Sequence, residues 1–187
     1  MKKIVLTFIL IPIFILKVSA QSNEIDNSIL PWHSSRDLNW SDFQGEVDPN
    51  TFGSAMTSHK IEVLPTNVMV DENDNIQDYE KMTVQAQFYK NKSWTTTKSD
   101  LILIHEQLHF DIAELFARKI RKRFTVFKLN NVTTFSAYLN CYNLFWKECR
   151  KMQRQYDSET SHGQNESVNE AWVRRVRTKL GSLSSFE

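Results

Sequence analysis

Residues 101–121 read LILIHEQLHFDIAELFARKIR, and this stretch decides the fold. It carries His105, Glu106 and His109 in the order H-E-x-x-H. On a helix, residues four apart sit one turn above each other on one face. The two imidazoles can therefore grip one metal ion, with Glu106 at the edge of that face where its carboxylate reaches an activated water. Taking about 100° of rotation per residue and His105 as zero, His109 falls at roughly 40°. Leu101, Ile102, Leu108, Ile112, Phe116 and Ile120 all fall within roughly 60° of His105. The histidines thus belong to the apolar stripe, and Gln107, Asp111, Glu114, Arg118 and Arg121 to a predicted solvent side. Imidazole has two nitrogens to satisfy, so a buried histidine pair is a poor core choice unless something occupies them. A metal does so, and zinc is the metal that this motif implies. Ser99 and Asp100 give the helix an acidic start; Lys119, Arg121, Lys122 and Arg123 give it a basic end, read as a solvated helix terminus.

Working outward, residues 124–129 read as a short connector or strand, and residues 131–134 as a helix start. Phe135, Tyr138, Leu139, Tyr142, Phe145, Trp146, Cys149 and Met152 then recur at three- and four-residue steps, predicting a second long helix with an aromatic core face. A polar stretch, residues 156–172, follows it. Val168, Trp172, Val176 and Leu180 outline a last helix, and residues 181–187 a loose tail. Upstream, Met82, Val84, Ala86 and Phe88 alternate with Lys81, Thr83, Gln85 and Gln87. This clean period of two predicts the best strand of the chain, in an antiparallel sheet. It is also the strand expected to lie along a cleft and pair with an extended substrate. Residues 55–64 predict a strand interrupted near His59, and residues 68–70 a second short one. The expectation is one α+β domain over residues 37–180: a short antiparallel sheet packed on the H-E-x-x-H helix and an aromatic-rich helix, with a C-terminal helix besides.

The N-terminus reads differently. Lys2 and Lys3 precede an apolar run to Leu16, followed by Val18-Ser19-Ala20. This predicts a signal peptide over residues 1–20 and export, periplasmic or secreted, with no stable membrane insertion after cleavage. A polar lead-in then spans residues 21–36, which Ile29, Leu30 and Trp32 pin to the domain. The net charge of +1 offers no field for nucleic acid. Cys141 and Cys149 fall eight residues apart on one helix, about 12 Å along its axis. That is too far for a disulfide, so both read as buried thiols.

A catalytic zinc takes three protein ligands and keeps a position open. Glu114 would complete H-E-x-x-H-x-x-x-x-E, but it falls at roughly 180° from His105 on a continuous helix. His33 and His59 read as structural or exposed. His162 lies in a loop between two helices beside Gly163, where functional groups are commonly delivered. It is the leading third ligand, with Glu166 and Glu170 as rivals.

Three stretches together, HEQLHFDIAE at 105–114, LNWSDFQG at 38–45 and YDSETSHG at 156–163, resemble a family of secreted bacterial zinc-dependent proteases long known only as a domain of unknown function. The family pattern often has glycine where this chain has Leu108. The resemblance implies a zincin-like α+β fold, zinc held by His105, His109 and His162, and a peptide or protein substrate. It also draws attention to Tyr156, Asp157 and Thr160. The expected chemistry is peptide hydrolysis with Glu106 as general base and Tyr156 as a donor to the carbonyl oxygen. Asp157 is expected to fix the tautomer of a liganding histidine. Two alternatives stand beside it: a non-catalytic zinc-containing binding module of the cell envelope, and a metallohydrolase acting on a non-protein or cell-wall substrate.

Overall fold

The computed structural model describes residues 27–50 and 53–187. The predicted signal peptide lies outside the described residues. Among those described, no helix is long and apolar enough to cross a membrane.

The architecture is α+β. Strands β1 (Ile29–Pro31), β4 (Thr83–Tyr89) and β3 (His59–Leu64) form an antiparallel sheet in the order β1-β4-β3. A second, two-stranded sheet pairs β2 (Ala55–Met56) with β5 (Trp94–Thr95). Three helices follow: α1 (Asp100–Leu129), α2 (Phe135–Thr160) and α3 (Glu166–Gly181). The alternation of β4 is borne out. Val84, Ala86 and Phe88 are buried, and the residues between them are half-exposed. Being central, β4 has both edges paired, in register with Ile29–Pro31 on one side and His59–Leu64 on the other. It therefore has no free edge for a substrate strand, contrary to expectation. The lead-in is likewise more than a pinned segment, because β1 is an edge strand of the sheet and Trp32 Nε1 donates to Asp111 at 2.8 Å. Residues 68–70 are not a strand. Val70 makes a single bridge to Ile76, and the Asp71 carboxylate accepts from the backbone N–H groups of Asn73 and Asn75, which turns the chain instead.

Helix α1 runs unbroken for 30 residues, about 45 Å. It absorbs residues 124–129, with Phe124 fully buried against Tyr138. The sheet, α2 and α3 all pack on α1. A helix enclosed in this way has little wet side. Gln107, Asp111, Glu114 and Arg118, expected in solvent, are each less than 10% exposed. Each is satisfied internally. Gln107 accepts from Leu38 N and donates to Asp111, and Glu114 accepts from Arg118 and Arg121. Arg118 also donates to the carbonyl of Leu180, and Arg121 to those of Val84 and Phe186. This ties the C-terminal residues down, together with the Arg118–Glu187 ion pair, so the tail is not loose.

The pairings Phe124–Tyr138 at one end and His105–Tyr156 at the other set α2 antiparallel to α1. Cys141 and Cys149 are buried and unpaired, as expected. Burial pushes the thiols up, to about 11 and about 12. LNWSDFQG forms a 3-10 turn over Trp40–Asp42, with Asn39 and Asp42 closing a capping box.

Glu114 faces two guanidinium groups, not the histidine face. Glu114→Ala leaves Arg121 without a carboxylate and Arg118 with Glu187 alone, and should lower stability by about 3–5 kcal/mol in urea unfolding. Zinc stoichiometry of the folded protein should be unchanged. Lost zinc with unchanged stability would contradict this assignment.

Candidate metal centre

His105 and His109 lie one turn apart on α1, facing α2, where Asp157 and Gln153 are also one turn apart. His105 Nε2 and His109 Nε2 are 3.1 Å apart. Asp157 Oδ1 is 3.3 Å from the first and 2.9 Å from the second. Among the described residues, His105, His109 and Asp157 form a group able to hold a metal ion. Their spacing can be tested against zinc. Arms of about 2.0 Å in a tetrahedron give vertices about 3.3 Å apart. The three donor atoms are spaced like three such vertices, so they fit.

Partners behind the donors fix the rings. His109 Nδ1 donates to Gln153 Oε1, leaving Nε2 to face His105 and Asp157 as a possible ligand atom. Both N–H groups of Gln153 Nε2 are used, one on the His109 carbonyl at 2.9 Å and one on His59 Nε2 at 3.1 Å. His59 Nδ1 in turn donates to the Thr57 carbonyl at 3.4 Å. Burial and the facing His109 push the His59 imidazole down to about 4, so it stays neutral in that role. His105 is held by packing. Its ring stacks on Tyr156 with centroids 4.5 Å apart, and its Nδ1 is enclosed without a hydrogen-bond partner.

The electrostatics follow from burial and the shared carboxylate. Burial depresses the His105 imidazole, and the Asp157 hydrogen bond only partly offsets this. Burial also works against the charged form of His109, but Asp157 and Glu106 outweigh it and raise the group. For Asp157 burial favours the neutral acid, yet the two imidazoles prevail and hold the carboxyl well below its ordinary range.

The motif YDSETSHG acquires a physical role at most of its positions. Tyr156 is fully buried and forms the floor under His105 and His109. Asp157 supplies the carboxylate. Thr160 Oγ1 donates to the Tyr156 carbonyl at 2.7 Å and accepts from Gly163 N at 3.1 Å. Ser161, His162 and Gly163 are all left-handed, with φ of 51°, 55° and 81°, and fold the chain back over His105. A Cβ on Gly163 would stand 2.7 Å from His105 Cβ and Cγ, so only glycine fits there.

Two expectations need correction. Tyr156 is not a donor in the cavity: its hydroxyl is buried and donates to Asn169 Oδ1 on α3. Burial pushes the phenol pKa upward. His162 is not within the cluster of three. Its side chain is 60% exposed, with Nδ1 3.9 Å from Asp157 Oδ1, and it lines the rim of the cavity. Glu166 and Glu170 do not line this cavity either; both are exposed on α3. The reason is length: α2 runs on to Thr160, so Asp157 is a helical residue facing α1. Gln153 was missed altogether. Its position four residues before Asp157 was the available signal.

Above the three donors lies a cavity of about 650 Å³, lined by residues 53–57, His59, Ile102, Glu106, Gln153, His162 and Gln164 as well as the donors. Glu106 is 5% exposed and lines this cavity, while Thr57 Oγ1 donates to its backbone carbonyl.

Asp157→Ala should strip or greatly weaken zinc binding in dialysis followed by metal analysis, whereas His162→Ala should retain it. The opposite pattern would return His162 to the ligand set. Gly163→Ala should weaken zinc binding by about 10–100-fold through displacement of His105, the usual range for a disturbed ligand support.

A family model described as "Bacterial protein of unknown function (DUF922)" matches residues 78–163, less than half of the chain. No curated protein and no solved structure matches the chain. The matched segment begins just before β4 and ends at Gly163, so it spans the parts of α1 and α2 that carry His105, His109 and Asp157.

Proposed function

We propose that the chain is an exported, zinc-dependent metallopeptidase, with His105, His109 and Asp157 as ligands and Glu106 as general base. The observation that carries this reading is the spacing of three donor atoms, 2.9–3.3 Å apart, at the foot of a cavity that Glu106 also lines. Two imidazoles and one carboxylate also suit iron(II). What favours hydrolysis is Glu106, a carboxylate outside the ligand cluster yet in the same cavity. A purely structural site has no use for it.

When bound, zinc supplies Lewis acidity, polarising a carbonyl and bringing the pKa of water toward neutrality. The rest is done by side chains of this chain. Glu106 accepts the proton of the attacking water and returns it to the leaving amine. Asp157 places one negative charge against the two imidazoles, while Gln153 and the Tyr156 ring keep those imidazoles aimed at the cavity. His59 has both nitrogens engaged, so it holds Gln153 and does not transfer protons. His162 lines the rim of the cavity and is the candidate imidazole donor to the substrate carbonyl oxygen. The alternative of a non-catalytic zinc module requires a fourth protein ligand, for which His162 is the candidate.

Cleavage of a casein or internally quenched peptide mixture by the zinc-loaded protein tests the reading. Glu106→Gln should abolish measurable turnover with zinc content intact. Turnover that persists in Glu106→Gln with zinc bound would exclude Glu106 as the base. Tyr156→Phe should change kcat less than tenfold, whereas loss of a genuine oxyanion donor costs about 10²–10³. A loss of that size would place the phenol in the chemistry after all.

A further inference from the structure

The basic run at the end of α1 divides into two groups. Arg118 and Arg121 are taken up by Glu114. Lys119, Lys122 and Arg123 instead line a cavity of about 500 Å³ with Lys179 of α3. Phe145 of α2 and Leu183 complete an apolar wall. The size is that of a small-molecule site. Among the described residues, none of these four cations forms an ion pair. No carboxylate lines the cavity; Glu148, which acts on Lys119, lies outside the lining. The whole chain carries a net charge of only +1, so this is a local concentration of charge and not a general bias. Lys119 is half-buried over the Phe116 ring at 4.0 Å, and it also feels the charge of Lys179. Cations that repel one another around an apolar wall are stabilised by an anion whose remainder is apolar.

We propose that this cavity binds one anionic amphiphile, with the acidic head among Lys119, Lys122, Arg123 and Lys179 and the adjoining hydrocarbon against Phe145 and Leu183. The proposal is independent of the metal centre and of any hydrolytic activity. The head can belong to a free long-chain acid or to an envelope lipid, and the chemistry recognised is the same.

Isothermal titration of the full chain with sodium dodecanoate, below its micelle concentration, provides the test. Dodecanoate should saturate at one per chain, while sodium acetate and dodecyltrimethylammonium should not bind. K119Q/K179Q should weaken dodecanoate binding by about tenfold. L183S should also weaken it, and K119Q/K179Q, which changes no core side chain, should keep the thermal unfolding midpoint of the parent. Equal binding of the cationic amphiphile, binding of acetate as tight as that of dodecanoate, or unchanged affinity in K119Q/K179Q would overturn the proposal. Sedimentation with phosphatidylglycerol vesicles distinguishes the sources. Vesicle binding alongside monomer binding supports a lipid head, and monomer binding alone supports a free acid. Vesicle binding without monomer binding would overturn a discrete one-ligand pocket in favour of a membrane surface.

Discussion

Enclosure of α1 is the constraint on which the rest depends. The sheet covers one side of this helix, α2 and α3 the others. A polar side chain inside such a wrapping has no water to turn to, and each one left without a partner costs on the order of 1–3 kcal/mol. The helix nevertheless carries Gln107, Asp111, Glu114 and Arg118 at buried positions. The fold therefore builds a partner for each. Leu38 and Trp32 meet Gln107 and Asp111, and the C-terminal residues meet Arg118 and Arg121. The short β1, the LNWSDFQG turn and the tail follow from that requirement, since each delivers a group that α1 needs.

The cluster of His105, His109 and Asp157 is the same constraint resolved differently. His105 is buried and His109 half-buried on the face toward α2. Gln153 satisfies one nitrogen of His109, and Asp157 approaches the Nε2 atoms of both rings. That leaves two imidazole nitrogens and a carboxylate oxygen converging on one point. Like partial charges at such separation are stabilised by a cation, which is the physical basis for reading the cluster as a ligand set. The antiparallel run of α2 against α1 makes this possible. One turn of each helix supplies a pair: His105 and His109 from one, Gln153 and Asp157 from the other. The left-handed turn over residues 161–163 then closes over His105, and Gly163 is required there by contact, not only by its positive φ.

Much of this was legible in the residues. H-E-x-x-H on an apolar stripe located the central helix and its inward face, the alternation of residues 81–88 located the central strand, and the aromatic periodicity located α2. The failures share two physical causes. Amphipathic counting assumes that one side of a helix is wet, and for α1 this is untrue, so Glu114 was placed in solvent when it sits between two guanidiniums. Its exclusion as a ligand nonetheless holds, because rotation about the axis does not depend on what lies outside. The second cause is the end of α2. The polar composition of residues 156–163 suggests a loop, yet Tyr156 and Thr160 are fully buried and continue the helix by one more turn. Read as helix, Asp157 falls one turn after Gln153 and on the face toward α1. Read as loop, it reduces to a cap and His162 takes its place. A single turn of helix thus separates the expected ligand set from the one proposed here.

Zinc K-edge absorption spectroscopy of the metal-loaded protein tests the central claim most directly, because multiple scattering counts imidazole rings. The arrangement of His105, His109 and Asp157 predicts two imidazoles, with the remaining near scatterers all oxygen. A spectrum requiring three imidazoles would contradict it and bring His162 into the coordination sphere.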